Sequence, residues 1–139
     1  MIRELIIKDN EQYLRLGNLI NSKFTRLFPL EQILSNDNDY LYGYYIKDAL
    51  IAFIHITKSF EIIEINNIVV DQDYRRKNIG TKLINYIIEK FSDTKEILLE
   101  VRSKNINAID FYKKNNFTCI NIRKNYYDND DAYIMKRGV

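Results

Sequence analysis

Residues 75–80 of the chain read Arg75-Arg76-Lys77-Asn78-Ile79-Gly80: three cations, a small polar residue, an isoleucine and one of only four glycines. A strand-like run, Ile68-Val69-Val70, enters this loop, and Leu83, Ile84, Ile87, Ile88 and Phe91 leave it at helical spacing. A strand, a basic turn and a helix N-terminus together make an anion site. The first-turn amides have no partner within the helix, and the helix dipole adds partial positive charge there. Arg75, Arg76 and Lys77 strengthen that field. The same residues also describe an ordinary strand-to-helix connection with solvated charges, so the decision falls to their neighbours.

Those neighbours fall into an ordered series. Ile2 to Ile7 reads as a strand, and Asp9 or Asn10 caps a helix running to about Ser22, with Tyr13, Leu16 and Ile20 on one face. Pro29 opens a short second helix over Leu30 to Leu34. Three strands follow, Tyr40 to Ile46, Leu50 to Thr57 and Phe60 to Val70, with turns at Lys47-Asp48 and Lys58-Ser59, so they form an antiparallel meander. Asn66-Asn67 interrupts the apolar pattern of the third and predicts a bulge. After the basic loop comes a helix over Gly80 to Phe91. A strand over Glu96 to Val101 follows, whose Ile97-Leu98-Leu99 run reads as buried on both faces. A helix from Asn105 to Lys114, a strand from Phe117 to Arg123, a polar loop over Asn125 to Asp130 and a strand from Ala132 to Lys136 complete the chain.

The expected fold is a single α/β (α+β) domain over residues 1–139, in the order βααβββαβαββ, with a mixed central sheet. Its βαβ unit makes Phe60–Val70 and Glu96–Val101 parallel neighbours in mid-sheet. Ligands collect at the carboxyl ends of such strands. Val69, Val70, Glu100 and the basic loop therefore surround one crevice.

Bulk properties narrow the class. At 139 residues, 46% hydrophobic and 29% charged, the chain suits one globular domain with its own core. A net charge of +2 gives no whole-protein argument for nucleic acid or membrane as a partner. Cys119 is the only cysteine, which excludes an intrachain disulfide and a cysteine-based zinc site. It reads as a small core residue of its strand. Arg3, Glu4, Lys8 and Asp9 interrupt the opening apolar residues, so no signal pattern appears and a cytoplasmic location is expected. His55, the only histidine, reads as a satisfied sheet residue, and no metal is expected.

At this point the residues resemble a known family, the GNAT superfamily of acetyl-CoA-dependent N-acetyltransferases. Its phosphate loop, Q/R-x-x-G-x-G/A between a strand and a helix, is similar to Arg75 to Gly80, with Asn78 in place of the first glycine. Asn accepts the left-handed backbone better than other non-glycine residues. Leu99-Glu100-Val101-Arg102-Ser103-Lys104-Asn105, Ala108-Ile109, Phe111-Tyr112 and Asn116-Phe117 resemble a second motif, with Asn116 replacing a helix-terminating glycine. Ile122 to Tyr127 and Asp131 to Met135 are similar to the RimI-type branch, which acetylates the N-terminal alanine of a ribosomal protein.

The resemblance implies acetyl-CoA as co-substrate and a primary amine as acceptor, attacked directly. Backbone groups of Ile68, Val69 and Val70 would hold the pantetheine arm like an added strand. The loop of Arg75, Arg76, Lys77, Asn78, Ile79, Gly80 and Thr81 would hold the pyrophosphate, and Asn105 would contact the cofactor while capping its helix. Glu100 matches the RimI-type base, with Glu64 the rival position, and Tyr112 matches the general acid. Ala108, Ile109 and Tyr112 also share a helical face, as a core stripe does. The acceptor is a protein N-terminus or, as the alternative, a small amine such as a polyamine or antibiotic. A non-catalytic acyl-CoA binder is a further alternative, and Tyr126 and Tyr127 are candidates to line the acceptor groove.

Overall fold

The computed structural model describes residues 1–127 and 129–139. Its elements are β1 (Ile2–Glu4), α1 (Asn10–Gly17), α2 (Phe24–Leu27), α3 (Leu30–Ser35), β2 (Asp39–Ile46), β3 (Ala49–Ser59), β4 (Ile62–Val70), α4 (Ile79–Lys90), β5 (Glu96–Arg102), α5 (Ile106–Lys114), β6 (Thr118–Tyr127) and β7 (Asp130–Gly138). The seven strands form one sheet in the order β1-β2-β3-β4-β5-β7-β6. Only β4 and β5 pair in parallel, and they sit in mid-sheet as the βαβ unit requires.

Two apolar layers cover the sheet. On one face Ile79, Leu83, Ile84 and Ile87 of α4 and Ile109 and Tyr112 of α5 pack on Ile54, Ile63, Ile65, Ile97, Leu99 and Met135. On the other, Tyr13, Leu16, Phe24, Leu30 and Ile33 of α1 to α3 pack on Leu41, Tyr45, Phe53 and Val69. The second layer rests on β2, β3 and β4, which leaves the far half of that face open. Among the described residues, no helix is long and apolar enough to cross a membrane.

Several expectations need correction. The first helix stops at Gly17 instead of Ser22, and an additional one-turn helix, α2, follows. A Cβ on Gly17 would stand 2.1 Å from the Phe24 ring, so the chain turns there to lay that fully buried ring on the helix. β1 ends at Glu4 because Asp9 is buried and accepts the Ile6 amide at 2.8 Å, which folds 7–9 into a 3-10 turn. The β3–β4 turn sits at Phe60-Glu61 instead of Lys58-Ser59, with Phe60 at φ 53°. Leu98 is only half-buried, since α1 to α3 do not reach it; Ile97 and Leu99 alone are buried. β6 runs on to Tyr127 and β7 begins at Asp130, so most of the loop expected at Asn125 to Asp130 is strand; Asp128 of that loop lies outside the described residues. Cys119 is exposed, because β6 is the outer edge of the sheet and nothing packs over it.

The bulge expected at Asn66-Asn67 is present. His55 pairs with Asn67 and Ile56 with Ile65, so Asn66 is the extra residue. It resets the alternation of β4: Ile63 and Ile65 face α4 before it, and Ile68 and Val70 face that layer after it, while Val69 joins the α1–α3 layer. Bulge position and strand pairing together shape the functional crevice.

Candidate active site

The β4–β5 ladder runs from Ile62–Glu96 to Ile65–Leu99 and ends there, although β4 continues to Val70 and β5 to Arg102. The two strands part at the bulge. Ile68, Val69 and Val70 pair with β3 on their other side, so their β5-facing backbone groups have no strand partner. Buried or half-buried backbone without a partner is costly, and this edge offers an extended ligand the hydrogen bonds of a missing strand.

The basic loop stands at the end of that gap. Asn78 adopts φ 60°, ψ 22°, the left-handed conformation its position demands, and Arg76 is also left-handed at φ 65°. The turn delivers the chain into α4, whose first turn contains no acidic residue. Arg75 Nε donates to the Val70 carbonyl at 3.2 Å and folds the loop back on the strand. Lys77 lies 5.4 Å from the Tyr74 ring. Among the described residues no carboxylate pairs with Arg75, Arg76 or Lys77, so their charge adds to the field at the α4 N-terminus. Gly80 is not left-handed. Its lack of a side chain serves packing, since a Cβ there would lie 2.8 Å from Phe111 of α5. Ile79 is buried, and Thr81 is half-buried in the first turn.

Glu100 lies past the last β4–β5 pair and faces the open half of the sheet. Arg123 approaches one carboxylate oxygen at 3.5 Å and the Tyr127 hydroxyl the other at 3.5 Å, both from β6. Arg102 stacks 3.9 Å over the Tyr127 ring. The immediate neighbours of the Glu100 carboxylate are thus a guanidinium and a phenol hydroxyl. Glu64 lies on the same open face, opposite Leu98 and two residues short of Glu100 along the paired strand, and is exposed. Tyr126 is exposed and packs edge-on to Tyr127 at 5.2 Å.

Tyr112 sits on the opposite side of the sheet, buried between Phe111 and Phe117. Burial pushes its phenol pKa well above the ordinary range, so it keeps its proton. It is thus a core residue whose hydroxyl keeps its proton. Asn105 caps α5, its side-chain oxygen accepting the Ala108 amide at 3.2 Å. Asn116, at φ 69°, closes the far end of that helix as a left-handed residue.

The geometry therefore groups the β4 edge, the loop and the α4 terminus around one gap, with Glu100 on one face of the sheet and Tyr112 in the layer on the other. Nothing in the sequence marks Arg123 as a neighbour of Glu100. Arg123 reaches Glu100 across β7, the one strand that separates β6 from β5, and nothing local in its neighbourhood signals that.

An unpaired strand edge, a basic loop and a helix N-terminus in one gap suit an extended ligand that carries phosphate. The model of the acetyltransferase (GNAT) family matches residues 4–117, and the chain belongs to that family. It is an acetyltransferase with RimI-type and N-alpha-acetyltransferase relatives. An N-alpha-acetyltransferase of Sulfolobus acidocaldarius is 28% identical over 153 aligned residues, covering 96% of this chain and 89% of the relative. The ribosomal protein bS18-alanine N-acetyltransferase of Salmonella typhimurium is 33% identical over 95 residues, 63% of this chain and 64% of that enzyme. Against several other curated N-alpha-acetyltransferases the matched region spans less than half of the relative's length. The fold is that of the PaiA N-acetyltransferase of Thermoplasma acidophilum, solved with coenzyme A: TM-score 0.83 and 22% identity over 100% of this chain and 98% of that one.

Proposed function

We propose that the protein transfers an acetyl group from acetyl-CoA to the α-amine of a protein N-terminus by direct attack. The observation that carries this reading is the parting of β4 from β5 directly before an α-helix N-terminus flanked by Arg75, Arg76 and Lys77, which pair with no carboxylate among the described residues. That gap fits the two ends of coenzyme A: an amide-bearing arm that can pair like a strand, and a pyrophosphate that needs amides and positive charge. Ile68, Val69 and Val70 supply the first. Arg75, Arg76, Lys77, Asn78, Ile79, Gly80 and Thr81 supply the second, and Asn105, the cap of α5, is a further candidate contact.

The donor supplies an activated thioester. Glu100 accepts the proton that the acceptor ammonium must lose before its nitrogen can attack. Arg123 and Tyr127 hold the carboxylate in place through the 3.5 Å contacts. As the carbon–nitrogen bond forms and the carbon–sulfur bond breaks, the Tyr112 phenol gives its proton to the departing sulfur. The attacking nitrogen loses its second proton as the amide forms, which restores the Tyr112 phenol, and the proton on Glu100 passes to solvent, so the products are an amide, free coenzyme A thiol and one proton. Glu64 is the second candidate for the base, on the same face.

The names of the relatives support an N-terminal acceptor, since they act on protein α-amines. A small amine is the second reading: the Salmonella match covers only 63% of this chain, so it is weak in part of the molecule. One panel separates them. Purified protein with acetyl-CoA is offered Ala-, Ser- and Met-starting peptides, spermidine and an aminoglycoside, and thiol release is followed. Turnover on peptides alone is the expected result; turnover confined to the small amines overturns the acceptor. Acetyl-CoA binding with no turnover on any acceptor points to an acyl-CoA binder.

A further inference from the structure

The bulge at Asn66, where β4 leaves β5, is held by a line of donors that ends on one carboxylate. Asn66 Nδ2 donates to Thr57 Oγ1 at 2.7 Å, and Thr57 Oγ1 donates in turn to Asp39 Oδ1 at 2.6 Å. His55 Nε2 lies 3.3 Å from the same Asp39 oxygen and 3.4 Å from Asn66 Nδ2. His55 is only 4% exposed, with the Phe28 ring edge-on at 5.9 Å. Burial lowers the pKa of its ring, and Asp39 only partly offsets this, so the ring is neutral near pH 7. A proton on Nε2 lets the ring donate to Asp39. Its Nδ1, which has no partner, is then a bare acceptor instead of a stranded N–H. The line spans β2, β3 and β4.

A polar pin is needed at this point. Removing the bulge would slip β4 by one residue and turn every later side chain to the other face. Ile68, Val69 and Val70 are all aliphatic, so either phase buries an apolar set, and burial by itself selects the observed register only weakly. The hydrogen bonds of Asn66 exist in one phase alone.

We propose that Thr57, backed by Asp39 and His55, positions Asn66 so that the bulge stays formed and the gap between β4 and β5 stays open to the donor. These are positioning residues, since they act through the strand. The inference rests on the acetyl-CoA reading for its kinetic consequence, but not for its structural one.

Thr57→Val removes the central hydroxyl at nearly constant shape, and Thr57→Ser keeps it. In Thr57→Val the KM for acetyl-CoA and the calorimetric Kd should rise about tenfold, the loss expected for one well-made hydrogen bond, with kcat within about twofold. Deuterium exchange at the Asn67 to Val70 amides of the ligand-free protein should quicken in Thr57→Val and stay slow in Thr57→Ser. Asn66→Ala, at a half-buried position, should reproduce Thr57→Val and replaces it if that variant folds poorly. The proposal is overturned if Thr57→Val keeps wild-type KM and exchange, if Thr57→Ser is equally impaired, or if kcat alone falls. Should wild-type protein bind no acetyl-CoA, the functional reading fails, and the exchange comparison decides this inference by itself.

Discussion

At the scale of the residue, Glu100 and Tyr112 are set in opposite environments. Glu100 is open to solvent and approached by Arg123 and Tyr127, where the proposed reaction needs an acceptor for the proton of an incoming amine. Tyr112 is buried, and burial keeps its phenol protonated, the form the proposed reaction needs at the leaving sulfur. Glu100→Gln and Tyr112→Phe should each lower kcat by roughly 10²-fold or more, the range typical of a lost acid or base. Calorimetry should show their affinity for acetyl-CoA nearly unchanged. Wild-type rates in both variants would move the chemistry elsewhere, with Glu64→Gln the next variant to assay. Asn78 makes a separate case. A non-glycine residue at φ 60° carries a backbone penalty that Asn eases and Ala does not. Asn78→Gly should therefore match or exceed wild type in urea midpoint and in acetyl-CoA affinity, while Asn78→Ala should lose about 1 kcal/mol of stability. Equal stability of the Gly and Ala variants would refute that account.

At the scale of the element, two glycines show how helices are held against their neighbours. Gly17 receives the Phe24 ring, which is locked by Tyr13 at 5.2 Å and Phe53 at 6.0 Å. Gly80 receives the tip of Phe111, which is half-buried and has room to turn. Gly17→Ala should thus cost about 1–3 kcal/mol, after the helix-propensity gain of Ala is set against overpacking. Gly80→Ala should cost less. Chemical denaturation of the two variants gives the order, and a larger loss at Gly80 would contradict it. The elements also show where local pattern ran short. Phe24 starts a one-turn helix that no periodicity in so few residues can announce; only the packing of its ring makes the turn. The Leu98 position failed for a different reason. A continuous apolar run tells that a strand is suited to burial, but coverage depends on how far α1 to α3 extend across the sheet. Cys119 and β6 failed likewise, because a strand's place at the edge is a property of the sheet order and not of the strand.

At the scale of the whole molecule, stability should depend on pH through groups tied into the α1–α3 half. His55 has its pKa lowered by burial, with Asp39 offsetting only part, so the folded protein binds fewer protons there than the unfolded chain. Its contribution is complete above the unfolded value of about 6.5 and is lost as pH falls below it. Asp9 is buried, which raises its pKa, but the Ile6 amide, Arg3 and Tyr45 outweigh this and lower it overall. Its contribution is therefore present above the ordinary carboxylate range and is lost in stronger acid. The urea midpoint should fall between pH 7 and pH 5, and His55→Gln should flatten that portion of the profile. A wild-type midpoint constant over this range would rule out the assignment.

What the sequence determined by itself was whatever rests on short spans of chain. The order of strands and helices apart from α2, the bulge at Asn66-Asn67, the left-handed positions at Asn78 and Asn116, and the cap at Asn105 are all local consequences of side-chain shape, periodicity and backbone preference. The basic loop before α4 belongs with them, because a strand, a turn and a helix N-terminus are contiguous. Tertiary structure alone decided the rest. Pairing of β4 with β5 stops at Ile65–Leu99, Arg123 and Tyr127 arrive at Glu100 from β6, and Asp39, His55, Thr57 and Asn66 meet across three strands. Each of these depends on register between segments far apart in the chain. Register is set by packing on both sheet faces and, past the bulge, by cross-strand hydrogen bonds such as that of Asn66 to Thr57, and no short stretch of residues encodes either.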